Sequence, residues 1–451
     1  MKKKGILLLG SLSLMVVAMV FITVTLISRS TVTPEESDAA SIKKGRKLTV
    51  SSLSTSSKSS STRRYTYLPM EVKGNLNSYP GGVNSNGYVA GSVVTPYVFS
   101  ATVIWSPKGE YTDLPGLPRG SYNVSGINNS NTIIATDNRS YINKISAIKY
   151  SVSGGMVDLK ALPGSKVPKP IMKPRINTFQ NSMFSESPNA YSEISRPLYV
   201  NNDGDVVGIS NNKAVLWINE KKDPVDLSSN IRIKEPNVVS TASYISDRKD
   251  GRVTILVDSY VDTGILMETA AKMYYIDYSI KDQKIISTTV QDKVDVNKLL
   301  WVEPKRILTN GSIAANYVPV NEKGAFRWDG YIFSSAKFEE NIRLKDIVSK
   351  AGISSSTYWI VDINDTTIIG YYGLDDNWGN IKYFIVNYKT NTVDFIGDLA
   401  SSGSIVGFDP NENKTIQPLF INSNGDIVVE IDDYSTSPTV RFPAKLILIS
   451  E

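Results

Sequence analysis

Residues 121–159 alternate short apolar segments with polar turns. One apolar segment ends at residues 126–128 (GIN), and further segments follow at residues 133–135, 147–150 and 156–159. Apolar segments of this length, separated by turns rich in Asn and Gly, are typical of antiparallel β-strands. This stretch therefore predicts one unit of four strands.

The polar turn between the first and second strands recurs along the chain. Asn, Asp and Gly dominate it because these residues tolerate the positive φ angles of tight turns. An apolar segment follows the turn each time, which predicts seven copies of the unit. The turns lie at residues 84–87, 128–131, 201–204, 249–251, 309–311, 364–367 and 422–425.

The third and fourth strands add two further repeating features. A large apolar residue in the third strand of each copy predicts a column of core side chains, and the fourth strand often reads apolar-Asp-apolar, as at residues 157–159 and 225–227. The predicted column contains Trp105, Tyr150, Trp217, Tyr275, Trp328, Ile385 and Leu448.

The spacing of the copies indicates the fold. The turns recur on average about every 56 residues, and four-stranded repeats near this length are typical of β-propellers, with insertions accounting for the excess. The sequence therefore predicts an all-β fold, a β-propeller of about seven blades over residues 65–451.

The two ends of the propeller region complement each other. The last copy stops after its third strand, whereas residues 65–69 (YTYLP) resemble residues 111–115 (YTDLP), the fourth strand of the first copy. We therefore expect the N-terminal segment to supply the outer strand of the last blade and close the ring.

Several copies resemble a known bacterial repeat. Residues 126–128 (GIN), 201–208 (NNDGDVVG), 225–227 (VDL) and 325–328 (AFRW) are similar to parts of the HAF repeat of bacterial extracellular proteins. The resemblance implies a secreted or surface β-propeller-like protein of unassigned activity, and it implies no catalytic residue.

The N-terminal region predicts that the protein is located outside the cytoplasm. Three lysines at positions 2–4 precede an uncharged apolar stretch over residues 5–28, which as a helix would span roughly 36 Å. Residues 1–28 are therefore expected to form a signal anchor, a single transmembrane helix with the C-terminal body outside the cytoplasm. The alternative is a cleaved signal peptide and a secreted or periplasmic protein.

Residues 29–64 predict a flexible linker. Residues 51–62 (SSLSTSSKSSST) consist almost entirely of Ser and Thr and cannot bury enough apolar surface to offset the entropy of ordering. The linker is expected to hold the propeller away from the membrane.

Composition narrows the possible functions. The chain contains no Cys and no His, which excludes thiol nucleophiles, thiolate or imidazole metal sites and the Ser-His-Asp triad. The net charge of +5 is spread along the chain, so nucleic-acid binding is not expected. No catalytic residue, metal or cofactor is predicted.

Long connections are predicted on one face of the propeller. The turns after the first strands are short, whereas residues 166–197, 258–270, 371–380 and 431–443 form long connections of the other type. Leu344, Ile347, Val348 and Ala351 have helical spacing before Gly352, which predicts a short helix in one connection. Function usually lies in such elaborated loops.

Two acidic and aromatic segments in these connections are the candidate binding residues. Carboxylates beside aromatic rings suit a sugar or a cation, although both segments could also be solvated loops. The candidates are Asp375, Asp376, Trp378, Asp432, Asp433 and Tyr434.

Three functions are compatible with this pattern. The first is a binding or scaffold propeller that recognises a protein or a surface polysaccharide outside the cytoplasm. The second is a carbohydrate-active enzyme that uses the loop carboxylates. The third is a structural or adhesion element without a discrete site.

Overall fold

The fold is described from a computed structural model. It describes residues 63–72, 77–94, 100–114, 117, 122–138, 144–163, 194–219, 221, 223–231, 238–261, 271–291, 299–319, 329–333, 341–355, 357–373, 381–436 and 439–450. The chain divides into two compact units, Met1–Ser56 and Ser57–Glu451, and all described residues lie in the second. The predicted signal segment and the linker up to residue 62 lie outside the described residues. Among the helices of the described ranges, none has the length and apolarity needed to cross a membrane.

The described strands form seven sheets, six with four strands and one with five. Within each sheet the repeated strands pair antiparallel in sequence order, so short turns connect them. The first strands of consecutive sheets contact each other around a closed ring, including that of the last sheet with that of the first. The chain is therefore a seven-bladed β-propeller.

The first four blades follow β1 (Arg64–Pro69). Blade 1 contains β2 (Asn77–Val83), β3 (Val89–Val94), β4 (Ser100–Trp105) and β5 (Tyr111–Asp113). Blade 2 contains β6 (Tyr122–Ile127), β7 (Ile133–Asp137), β8 (Ser146–Ser151) and β9 (Gly155–Leu159). Blade 3 contains β10 (Ser195–Val200), β11 (Val206–Ser210), β12 (Lys213–Trp217) and β13 (Val225–Asp226), followed by helix α1 (Leu227–Asn230). Blade 4 contains β14 (Val238–Ile245), β15 (Arg252–Val261), β16 (Lys272–Ser279) and β17 (Lys284–Val290).

Three further blades complete the ring. Blade 5 contains β18 (Leu299–Ile307), β19 (Ile313–Pro319), β20 (Asp329–Phe333) and β21 (Asn341–Arg343), followed by helix α2 (Leu344–Lys350). Blade 6 contains β22 (Thr357–Ile363), β23 (Thr367–Gly373), β24 (Ile381–Asn387) and β25 (Thr392–Phe395), followed by helix α3 (Ile396–Ser401). Blade 7 contains β26 (Ile405–Val406), β27 (Lys414–Ile421), β28 (Ile427–Asp433) and β29 (Val440–Ser450). The predicted short helix is confirmed, and α2 buries Leu344, Ile347 and Val348.

The N-terminal strand closes the ring, as predicted from the sequence. β1 pairs antiparallel with β29 over Tyr65–Leu448 to Pro69–Ala444, so it is the missing fourth strand of blade 7. The short strand β26 adds a parallel pairing on its outer side, which the sequence pattern did not predict. Arg63, just before β1, forms an ion pair with Asp394 of blade 6 at 3.6 Å, and both side chains are buried.

Lys445 of β29 also joins blade 7 to blade 1. Its side chain is 2% exposed, and its Nζ atom donates to the carbonyl oxygens of Gly87 (3.1 Å), Ser106 (3.4 Å) and Pro107 in blade 1. Burial lowers the pKa of Lys445. The last blade is therefore joined to the first by a buried cation.

The predicted core column is correct in three blades and out of register in four. Trp105, Tyr150 and Trp217 occupy equivalent buried positions, each opposite the second-strand residue that pairs with the last residue of the first strand. The remaining predicted members miss this position by at least one residue, and Trp328 lies outside the described residues. The equivalent residues are instead Ile276, Phe333, Val386 and Leu446. In blades 4 and 6 the turn differs in length from the other blades, and Tyr275 and Ile385 each miss the position by one residue, which places them on the opposite face of the strand.

Every first strand carries a bulge at the same place. The extra residue shifts the pairing just before the end of the strand, and a proline begins the bulge in blades 1, 3, 5 and 7. Proline suits this position because a bulged edge strand does not need its N–H. The residues that follow the bulges are Gly82, Gly126, Tyr199, Tyr244, Arg306, Asp362 and Phe420.

Candidate binding site

The two faces of the propeller differ in the connections they carry. We call the face with the tight turns between first and second strands the plain face, and the opposite face the loop face. Strands alternate in direction, so β28 starts at the plain face and reaches the loop face at Asp432 and Asp433. The connection from β28 to β29 at the loop face spans residues 434–439.

Asp432 and Asp433 belong to a strand rather than to a loop. The sequence predicted a long connection over residues 431–443, but β28 extends to Asp433 and pairs with the start of β29. Asp432 lies opposite Arg441, and Asp433 lies opposite Val440. The strand continues because the opposite charges of this cross-strand pair stabilise it. Both carboxylates are therefore held by a sheet.

Asp433 and Tyr434 form the exposed rim of the site. Asp433 accepts hydrogen bonds from the backbone N–H (2.9 Å) and the hydroxyl of Ser435, and these bonds lower the pKa of the Asp433 carboxyl. Tyr434 is 47% exposed, and its hydroxyl donates to Oδ2 of Asp432 at 3.3 Å. The rim thus presents a carboxylate and an aromatic ring to solvent.

Arg441 and two carboxylates lie below this rim. The Arg441 Nε atom is 2.8 Å from Oδ1 of Asp432 and 4.0 Å from Oε1 of Glu430. Glu430 and Asp432 are two residues apart on β28, so their side chains leave the same face of the strand, with Cα atoms about 7 Å apart. The Arg441 guanidinium is therefore within ion-pair distance of two carboxyl groups.

Neighbouring blades contribute two tyrosines to this cluster. Tyr79 of blade 1 hydrogen-bonds Arg441, and burial raises the pKa of the Tyr79 phenol. Tyr383 of blade 6 is close to Glu430 and Asp432; burial, and then these negative charges, raise the pKa of its phenol. The Arg441 backbone N–H also donates to Asn77 of blade 1 at 2.9 Å. We call Tyr79, Tyr383, Glu430, Asp432 and Arg441 the seam cluster, since three blades assemble it.

Glu430, the most buried carboxyl of the cluster, was not among the residues predicted from the sequence. It is 5% exposed, and burial raises its pKa to about 7. The available signal was a glutamate at the centre of an apolar strand, IVVEIDD, where alternation would place another apolar side chain. A buried acid in such a position indicates a role beyond packing.

The other candidate residues lie outside the described part of the chain. Asp375, Asp376 and Trp378 belong to residues 374–380, between β23 and β24 of blade 6. They remain predictions. Within the described ranges no group of three or more acidic residues is arranged to hold a metal ion.

Comparison with known proteins finds no family for this chain. No family model and no curated protein matches it, so the resemblance to the HAF repeat is not confirmed.

Several solved structures resemble the chain distantly. The acylaminoacyl peptidase of Pyrococcus horikoshii is 11% identical, with a TM-score of 0.37 over 67% of this chain and 41% of that one, so the chain spans less than half of its length. The β-propeller domain of the trilobed protease from Pyrococcus furiosus is 9% identical, with a TM-score of 0.32 over 79% of each chain. The WD40 domain of SCAP from fission yeast is 10% identical, with a TM-score of 0.32 over 85% of this chain and 98% of that one. The fold rests on the chain's own seven sheets.

Proposed function

We propose that the protein is a binding β-propeller that recognises a protein or a surface polysaccharide outside the cytoplasm through its loop face. The seam cluster carries this proposal. It gathers a guanidinium, two carboxyls and two phenols from three blades beneath an exposed Tyr434, at the face with the longer connections. Polar groups that converge in this way on a rigid scaffold are typical of ligand sites.

The test compares the two faces of the propeller. A loop-face variant carries Asp375→Asn, Asp376→Asn, Asp432→Asn and Asp433→Asn, and a control carries Glu110→Gln and Asp250→Asn. Both proteins are tested by cross-linking pull-down from cell envelopes and by binding to a polysaccharide panel. We expect the loop-face variant to lose its ligand and the control to keep it. Retention by both folded variants would contradict the proposal.

A carbohydrate-active enzyme is the second candidate. The observation that favours it is Glu430, whose pKa of about 7 lets it hold a proton near neutral pH beside a second carboxyl group. Glycosidases use one carboxyl as a general acid and another as a base or nucleophile. Release of reducing sugar from a polysaccharide, lost in Glu430→Gln, would support this candidate, and no release from any substrate of the panel would count against it.

The proposed location rests on the N-terminal sequence. The absence of cysteine from the chain makes a labelling experiment straightforward, because one introduced cysteine is the only target. Ser423→Cys, in an exposed turn, should react with a membrane-impermeant maleimide on intact cells or, in a cell with an outer membrane, on spheroplasts. Labelling only after lysis of the inner membrane would contradict an extracytoplasmic propeller.

A further inference from the structure

The Glu430 carboxyl accepts no hydrogen bond from the described part of the chain. Its side chain is 5% exposed, yet no side chain or backbone group of the described residues hydrogen-bonds it, and the Arg441 Nε atom is 4.0 Å away. Buried polar groups are nearly always hydrogen-bonded, since desolvation without a partner costs about 1–3 kcal/mol. A mostly buried carboxyl that accepts no hydrogen bond within the described residues is therefore available to a ligand that donates one.

The rest of the seam cluster limits what this ligand can be. A cation is disfavoured, because the Arg441 guanidinium already lies 2.8 Å from Asp432 and between the two carboxyls. A simple anion is disfavoured by Glu430 and Asp432 themselves. A neutral ligand with several hydroxyl groups fits, because each hydroxyl can donate to a carboxylate and accept from a guanidinium or a phenol.

The aromatic residues point to the same chemistry. Tyr79 and Tyr383 reach the cluster from the blades on either side, and Tyr434 stands at its rim with 47% of its surface exposed. Exposure decreases from Tyr434 through the Asp432 side chain (15%) to Glu430. An aromatic rim above a polar floor can bind the apolar face of a flat ligand while the floor binds its polar edge.

We propose that the seam cluster binds the hydroxyl edge of a neutral sugar unit in a polysaccharide, with Glu430 and Arg441 as the hydrogen-bonding floor and Tyr434 as the rim. This inference rests on the proposed function and commits it to a polysaccharide ligand. Glu430 and Asp432 accept hydrogen bonds from adjacent sugar hydroxyls. Arg441 donates to the same hydroxyls while Tyr79 holds the guanidinium.

Glu430→Leu separates binding from folding. Replacing a buried, unsatisfied carboxyl by an apolar side chain of similar size removes a desolvation cost, so this variant should be at least as stable as the parent chain. If Glu430 binds the ligand, the same change should lower affinity by at least tenfold. A residue with only a structural role would not give higher stability together with lower affinity.

The experiment measures binding of the full chain to a soluble α-glucan, β-glucan, galactan and chitin oligosaccharide, with thermal unfolding of each variant in parallel. We expect one or more of these glycans to bind the parent chain. Glu430→Leu and Asp432→Asn should each lose at least tenfold in affinity, whereas the exposed Glu110→Gln should bind as the parent does. Glu430→Gln provides a second test, since it keeps the shape and should lose less affinity than Glu430→Leu.

Two outcomes overturn the inference in different ways. If glycans bind and Glu430→Leu binds equally well, the seam cluster is not the sugar site, but the loop face can still be the binding face. If no glycan binds and the loop-face variant instead loses a protein partner in the pull-down, the sugar inference fails and the proposed function holds in its protein form. If the loop-face variant also keeps every ligand, both fail.

Discussion

The side chain of Asn128 stabilises its own turn and also bonds the next blade. Its Oδ1 atom accepts from the backbone N–H of Thr132 at 2.8 Å, while its Nδ2 atom donates to the carbonyl of Asn201 at 2.9 Å. The turn pattern predicted the first contact, because Asn stabilises tight turns. The second contact requires a neighbour 73 residues away, which a local pattern does not show.

Exchanging amide for carboxylate in this turn tests the inter-blade bond. Asn128→Asp keeps the acceptor for the turn but loses the donor to Asn201, so we expect the free energy of unfolding to fall by about 1–3 kcal/mol. Urea unfolding followed by tryptophan fluorescence measures the change.

Asn129→Asp is the matched control for this change. Among the described residues the Asn129 side chain uses only its acceptor, which receives the Ser85 N–H at 2.9 Å, and Asp247 and Asp365 have the same role in blades 4 and 6. This variant should change stability by less than about 0.5 kcal/mol. Equal losses for both variants would show that the amide donor is not what matters.

The raised pKa of Glu430 predicts how the free energy of unfolding depends on pH. Burial raises its pKa from 4.5 to about 7; the nearby Arg441 cation opposes this shift and the Asp432 carboxylate adds to it. The neutral phenols of Tyr79 and Tyr383 belong to the same cluster. The folded protein then holds this proton more tightly than the unfolded chain. Its contribution is fully present below pH 4.5 and is lost as pH rises through 7, a change of about 3 kcal/mol.

Glu430→Gln should remove this dependence. We expect the difference in unfolding free energy between the parent and Glu430→Gln to change mainly between pH 4.5 and 7, with the parent losing stability relative to the variant. Chemical unfolding at half-unit steps from pH 4 to 8 measures it. A difference that is constant over this range would show that Glu430 keeps an ordinary pKa in the folded protein.

Glycine marks two backbone requirements in the segment NNDGDVVG. Gly204 has φ +82° in the tight turn, where most other residues are strained. A Cβ atom on Gly208 would lie 2.1 Å from the carbonyl oxygen of Arg196, because the bulged first strand approaches β11 closely. The turn glycine could be explained from the sequence, but the strand glycine required the paired structure.

Strand β1 illustrates what one element contributes to the whole. Pairing with β29 places Tyr65, which is 1% exposed, in the core of blade 7, and Arg63 adds a buried ion pair to blade 6. Without β1, the strand β29 would present an unpaired edge, and the seam between blades 6 and 7 would lose apolar contacts and hydrogen bonds together. The six-residue strand β1 therefore contributes both core packing and ladder hydrogen bonds to the last blade.

Two deletions of the N-terminal region distinguish strand from linker. Removal of residues 65–69 should destabilise the propeller by several kcal/mol, since ladder hydrogen bonds contribute about 1 kcal/mol each and Tyr65 leaves the core. Removal of residues 51–62 should leave the melting temperature within about 2 °C, as expected for a linker. Differential scanning calorimetry compares the two, and equal melting temperatures would contradict closure by β1.

At the scale of the whole ring, two kinds of contact join the inner ends of the blades. Asparagine amides of the plain-face turns link blade 6 through blades 7, 1, 2 and 3 to blade 4. The turns of blades 4 and 5 begin with Ser246 and Leu308, which carry no amide donor. The donor and acceptor pairs are Asn84–Asn128, Asn128–Asn201, Asn201–Ser246, Asn364–Asn422 and Asn422–Asn84.

A second set of side chains runs from blade 3 to blade 7 and includes the contacts of blade 5, whose neighbours are not joined to it by the amides. Tyr199 packs on Tyr244 with ring centroids 4.5 Å apart, and Arg306 lies near Tyr244 and 3.4 Å from Asp362. Asp362 in turn accepts the backbone N–H of Ile421 in blade 7 at 3.0 Å. Tyr199, Tyr244, Arg306 and Asp362 each follow the bulge of a consecutive first strand. The inter-blade contacts therefore continue around the ring, although asparagine amides are replaced by aromatic and charged side chains.

Arg306→Leu tests this second set. The variant removes the cation between blades 4 and 6 but leaves Asp362 with its backbone donors, so we expect a loss of about 1–3 kcal/mol in unfolding free energy. Hydrogen exchange should increase first in β18 and β22. Lys160→Leu, which removes an exposed ion pair with Asp223, should change stability by less than about 0.5 kcal/mol. Uniform exchange throughout the ring would show that no local seam depends on Arg306.

The sequence by itself determined the repeat, the strand order and the closing strand. These follow from periodicity, turn residues and the likeness of residues 65–69 to 111–115, which are local features of the chain. It also placed Asp432, Asp433 and Tyr434 at the face with the longer connections.

Only the tertiary structure decided the register of four core positions, the inter-blade contacts and the composition of the seam cluster. Tyr79 of blade 1, Tyr383 of blade 6 and Glu430 of blade 7 lie on three different blades, and closure of the ring brings Tyr79 to Arg441. Packing of one blade against the next also makes Glu430 a buried acid, since burial depends on neighbours that the local sequence does not contain.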